Sequence, residues 1–175
     1  MPNLRGVDRC DECGFVYDLT EAERAGPAII SRAGELVSLL AGDWSETGAD
    51  LHTRRRPETW SPLEYCCHVR DVLLTQRERV LAARRAERPS FEPMGRDERV
   101  EHDGYADQEP ADDARQLVDA AAMFANVLAR LGPDDWERRL AYSYPRPTDR
   151  SLRWVAVHTV HELRHHLLDV RRQLD

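Results

Sequence analysis

At 175 residues the chain has room for one domain with a substantial core and hardly for two. Hydrophobic residues at 41% and charged residues at 33% give an ordinary globular balance. There is no apolar leader in "MPNLRGVDRC" and no run of membrane-spanning length, so the expected location is the cytoplasm, with no membrane partner. A net charge of -7 argues against a nucleic-acid partner, because no stripe of excess positive charge is available for phosphates.

All 25 basic residues are arginine, a substitution that a high-GC genome such as an actinobacterial one produces. The only basic run is Arg54-Arg55-Arg56, expected in a solvated loop.

In chain order, residues 1–18 form a short N-terminal segment that contains Cys10-x-x-Cys13, in the string "CDECGFVYD". Gly14 follows the second cysteine, as in half of a zinc knuckle, but two thiolates are only half of a tetrahedral site. Three readings of Cys10 and Cys13 stay open: a second metal site, a pair of free or redox-active thiols, or a disulfide. A cytoplasmic location weighs against the last. Residues 19–175 read as one helical domain. A first helix is expected over about 21–41, with Ile29, Leu36, Val37 and Leu40 among its apolar positions. The second is signposted by Ser61-Pro62-x-Glu64, a capping box with proline at the first helical position, and runs to about residue 86. Its Cys66 and Cys67 are expected to be small buried residues, although one of them is a further candidate ligand.

A third helix spans about 112–131 and stops at Gly132-Pro133. The last starts near Ser151 and continues to the C-terminus. No convincing strand is visible. Four helices of roughly 20 residues predict an all-α four-helix bundle. The long connections over 42–60, 88–110 and 133–150 permit crossovers. The polar stretch 94–110 has the length and position to cover a site.

"VHTVHELRHHLLDV" concentrates four of the seven histidines in the last helix. At 100° per residue, His158, His161 and His165 share one face, with Trp154 and Asp169 beside them. His166 points away from that face, and Leu152, Ala156, Leu163, Leu167, Val170 and Leu174 form the opposite stripe. His161 and His165 have the i, i+4 spacing that lets two imidazoles chelate one metal. Although His161-Glu162-Leu163-Arg164-His165 spells the zinc-peptidase signature, a peptidase needs a third ligand downstream. None of residues 167–175 is His or Glu.

The third ligand is therefore sought upstream, at His68 in the capped second helix, with His158 in reserve. Three neutral nitrogen donors leave a fourth position open, as in catalytic zinc. The same donors suit nickel, copper or iron. Glu162 is a weak catalytic candidate, and Asp71, one turn after His68, is placed either to orient an imidazole or to pair with an arginine.

Trp60-Ser61-Pro62, Glu64 and His68, followed by His161-x-x-x-His165, resemble the DinB/YfiT-like superfamily over about residues 19–174. The resemblance implies an up-down-down-up bundle, a divalent metal at His68, His161 and His165, and in many members a homodimer. It also implies the chemistry of members that act as thiol-dependent S-transferases or isomerases. The expected function is transfer of a low-molecular-weight thiol of the mycothiol type to a small electrophile. The alternative is a non-catalytic metal- or redox-responsive protein that senses through Cys10 and Cys13. The Cys10-x-x-Cys13 segment lies outside the common core of the family.

Overall fold

The computed structural model describes residues 9–46, 48–143 and 147–175, so residues 1–8 of the N-terminal segment lie outside the description. In chain order the helices are α1 (Ala25–Leu40), α2 (Pro62–Arg85), α3 (Arg96–His102), α4 (Pro110–Leu128) and α5 (Pro133–Trp136). A hairpin of β1 (Arg139–Tyr142) and β2 (Thr148–Ser151) then leads into α6 (Leu152–Leu174). The four long helices α1, α2, α4 and α6 form the bundle. α1 and α2 each pack against both α4 and α6 but scarcely touch each other. Consecutive helices α1 and α2 therefore stand diagonally, and the connection over 41–61 crosses one end of the bundle.

The core is a layered aliphatic interior, with Ile29 and Leu36 from α1, Leu63 and Leu73 from α2, Leu117 and Phe124 from α4, and Leu163 and Leu167 from α6. α2 begins where its capping residues dictate. Ser61 Oγ accepts from Glu64 N at 3.2 Å, and Glu64 Oε2 accepts from Ser61 N at 2.7 Å. Arg54 then clamps Glu64 through two charge-assisted bonds of 2.6 and 2.7 Å, which ties the crossing loop to the helix start.

The hairpin corrects the expectation of no strands. Each strand is only four residues long, and β1 alternates with Leu140 and Tyr142 buried. That signal is too short to separate from loop in the sequence. Its edge is held by Ala141 N donating to the Pro89 carbonyl at 2.9 Å, far away in the chain.

A buried charge network joins the second half of the molecule. Asp71 accepts from Arg70 at 2.9 Å, from Arg99 at 2.9 Å and from the Tyr105 hydroxyl at 2.7 Å. Arg70 also reaches Asp113 at 3.0 Å. Asp71 thus holds α3 and the following turn onto α2, which is the ion-pair reading of this residue and not the imidazole-orienting one.

Candidate metal centre

The imidazoles of α6 are sorted by the direction in which its leucines point. Leu152, Ala156, Leu163, Leu167, Val170 and Leu174 are buried in the core. Measured from the centre of that stripe at 100° per residue, His166 lies about 60° away and Glu162 about 100° away. His161 and His165 lie about 160° away, on the reverse of the helix.

A side chain on α2 meets α6 at the edge of the shared core and cannot reach its reverse. The expected set of His68, His161 and His165 is accordingly not brought together. His68 stands with Glu162 and His166, whereas His161 and His165 stand with Cys10 and Cys13.

In the first group one donor atom from each residue lies within 4.8 Å of the others. The His68 ring is 4.9 Å from that of His166, nearly perpendicular to it, and 5.0 Å from Trp60. Burial pushes the His68 pKa down to about 3, so the ring is neutral and has a free lone pair. Its Nδ1 is buried without a hydrogen-bond partner, which a packed interior rarely tolerates unless something else binds there. His166 donates from Nδ1 to Asp169 Oδ2 at 3.1 Å, which leaves Nε2 3.7 Å from Glu162 Oε2. A carboxylate behind a ligating imidazole fixes its tautomer and ring orientation.

Burial opposes charge on His166, but Asp169 and then Glu162 outweigh it and raise the pKa to about 9. Glu162 is held well below the usual carboxylate range. Burial raises it, and the adjacent imidazoles of His161, His166 and His158 more than compensate. The group therefore calls for a positive charge, which a proton or a metal ion can supply. Two imidazoles, one of them with an orphaned nitrogen, and one carboxylate fit a divalent cation.

The open side of this group faces a cavity of about 390 Å³. Its rim is formed by residues 94–98 at the start of α3, which gives the polar stretch 94–110 its place beside the site. The cavity is also lined by Gln76, Arg79 and Tyr142, and by His158 beside Glu162. Arg79 is buried, lies 4.6 Å above the Tyr142 ring, and approaches Gln76 Oε1 at 3.4 Å. Among the described residues no carboxylate pairs with it.

His158, the reserve ligand, bonds the Tyr17 hydroxyl through Nδ1 at 2.8 Å and stacks on Trp154 at 4.3 Å. It also stands with His161 and Glu162 as a third small donor group.

In the second group Cys10 Sγ is 3.6 Å from His165 Nδ1. Burial opposes ionisation of Cys10, but the Cys13 backbone N–H and then the nearby His161 ring bring its pKa down to about 6. Cys66 and Cys67 take no part. Both are fully buried in the core, where burial pushes their thiols up.

The pairing of Glu162 with His166 was legible in principle. Glu162 and His166 have the same i, i+4 spacing as His161 and His165, and His166 borders the leucine stripe, as a ligand shared with another bundle helix must.

Fold and site together describe a helical bundle with an imidazole–carboxylate group opening on a cavity. The sequence matches the DinB superfamily over residues 30–170, and the chain belongs to that superfamily. Among solved structures it is similar to YfiT from Bacillus subtilis, described as a probable metal-dependent hydrolase with an unusual four-helix bundle topology. The TM-score is 0.76 at 14% identity, covering 88% of this chain and 86% of that one. This likeness establishes the fold. A comparison with curated proteins gives no match.

Proposed function

We propose that the chain is a metal-dependent enzyme whose His68, Glu162 and His166 hold one divalent cation. On this reading it transfers a low-molecular-weight thiol, of the mycothiol type, to a small electrophile that carries an anionic group. The observation that carries the reading is the open side of the donor group, turned into a cavity that is also lined by a buried arginine to which no described carboxylate pairs. Two imidazoles and one carboxylate with a free position are the donor set of catalytic zinc, and they also suit iron. A divalent cation held by His68, Glu162 and His166 would supply Lewis acidity, which lowers the pKa of a thiol toward neutral pH.

The chain's own residues do the rest. Asp169 keeps Nδ1 of His166 protonated, so that Nε2 is the donor. Arg79 and Gln76 offer hydrogen bonds to an anionic group from the cavity lining. Trp60 packs on the His68 ring, and Tyr142 and the start of α3 line the cavity. Glu162 contributes negative charge to the cation, in place of the general-base role it has in peptidases.

Hydrolysis is the second reading, favoured by the description of YfiT. In that case water takes the place of the thiol in the same cavity. The test is to load the protein with cobalt, add mycothiol and a model electrophile bearing a carboxylate, and follow both the metal spectrum and conjugate formation. A perturbed spectrum and a conjugate that His68→Ala abolishes are expected. Ester cleavage without conjugation transfers the reading to hydrolysis. Neither reaction, with no spectral change, transfers it to a metal- or redox-responsive binding role.

A further inference from the structure

Cys10, Cys13, His161 and His165 are left over by that reading, and their geometry is specific. Residues 10–15 fold into a tight knuckle. Cys10 N donates to the Phe15 carbonyl at 2.9 Å, and Gly14 N donates to the Cys10 carbonyl at 2.8 Å. Gly14 sits at φ +68°, a conformation that side chains resist. Both thiols are thereby turned to one side of the knuckle.

Arg164 of α6 donates to the Cys13 carbonyl at 3.2 Å, and Phe15 and Tyr17 pack on the His161 ring at 5.4 and 5.3 Å. The knuckle is thus seated on the reverse face of α6. One donor atom from each of the four residues lies within 4.8 Å of all the others.

Three details resemble a metal site more than a chance cluster. First, a tetrahedral ion with bonds of about 2.3 Å to sulfur and 2.05 Å to nitrogen separates the two donors by about 3.6 Å. Cys10 Sγ and His165 Nδ1 are 3.6 Å apart. Second, His165 directs its other nitrogen, Nε2, at two carboxylates, Glu12 at 3.4 Å and Asp169 at 3.6 Å. That arrangement favours a proton on Nε2 and leaves the Nδ1 lone pair facing the thiol. Third, both ring nitrogens of His161 are buried without a hydrogen-bond partner. Nδ1 is 3.2 Å from Glu162 Oε1 and makes no hydrogen bond to it. An imidazole left this way destabilises the fold unless a ligand satisfies it.

We infer that Cys10, Cys13, His161 and His165 form a closed tetrahedral zinc site that fastens the N-terminal knuckle to α6. Two thiolates and two imidazoles at Cys-x-x-Cys and His-x-x-x-His spacing are a structural donor set with no open position. The site is separate from the His68 group and does not depend on a reaction there. Through Tyr17, which bonds His158 on the cavity wall, it also steadies one side of that cavity.

The experiment uses the full chain, stripped of metal by chelation under reducing conditions and titrated with cobalt. Two cobalt ions per chain are expected if the His68 group also binds. One of them should give a thiolate-to-cobalt charge-transfer band with intense tetrahedral d–d bands. Replacing Cys10 and Cys13 together by serine should remove that band and one ion. His68→Ala should leave the band intact and remove the other ion, so the two sites fail independently. A wild-type spectrum without thiolate charge transfer overturns the inference, as does a band that survives in the serine variant or d–d bands of unchanged position and intensity in His161→Ala. Should the serine variant not fold, alkylation of the wild type decides. Metal loading should slow the modification of Cys10 and Cys13 at least tenfold, mapped by peptide mass, and equal rates with and without metal overturn the site.

Discussion

Asp113 is a residue whose surroundings set its titration. It is fully buried, with Oδ1 on Arg70 at 3.0 Å and Oδ2 without a partner. Burial lifts its pKa to about 6, against the pull of the Arg70 charge. A carboxyl that is harder to ionise when folded favours the fold while protonated. Its contribution is complete below the unfolded value near 4 and is lost as pH rises through about 6. Asp113→Asn retains the hydrogen bond without the titration. Relative to the wild type, the variant should gain about 1–2 kcal/mol in going from pH 4.5 to pH 7.5. Urea midpoints at the two pH values check this, and a difference that does not move with pH contradicts it. Neighbouring carboxylates behave oppositely. Asp71, although buried, is held down by the Tyr105 hydroxyl and two arginines.

At the scale of elements, the start of α2 is the best-defined local structure, and it was legible because its signals lie within four consecutive residues. Ser61, Pro62 and Glu64 have their roles in the sequence order itself. Replacing Ser61 by alanine removes one of the two reciprocal bonds and should cost about 1 kcal/mol. A thermal or urea transition measures that loss, and an unchanged midpoint would show that Arg54 and Glu64 hold the helix start alone.

The β1–β2 hairpin was not legible, because what stabilises it is distant. Leu140 and Tyr142 are buried in the bundle's core cluster, and Pro89 completes the edge. The donor groups were half legible for a similar reason. Periodicity within α6 identified the polar face, but only the positions of α2 and the N-terminal knuckle divide that face between two partners. Cys10 and Cys13 were visible as half of a site, and the sequence had no means of showing that its other half lay about 150 residues away, where His165 faces Cys10.

The whole molecule is a bundle to which an N-terminal knuckle is attached across one face, so its stability should depend on metal supply. An ion present at a hundred times its dissociation constant stabilises the folded state by about 2.7 kcal/mol per site. For a domain of this size that corresponds to roughly 5–10 °C in the melting temperature. Chelation should therefore lower the melting temperature by at least that much. A melting curve indifferent to chelator would mean that no metal is bound in the folded state. Scanning calorimetry at fixed protein concentration provides the measurement, and re-addition of zinc should reverse the shift.

The string His161-Glu162-Leu163-Arg164-His165-His166 contains two overlapping pairs, one residue out of step with each other. Turning α6 by 100° about its axis would bring His161 and His165 to the angles that Glu162 and His166 now occupy. A two-imidazole, one-carboxylate set would become a set of three imidazoles, and the knuckle would face the wrong residues. The same turn would swing Leu163, Leu167 and Val170, all now fully or almost fully buried, out of the core. At about 1.5–3 kcal/mol for each large apolar side chain exposed, the alternative lies several kcal/mol uphill. The histidines are equally able to serve either register. The leucines on the other side of the helix decide which pair meets which partner, so a conservative change in the core is also a change in the chemistry of the face.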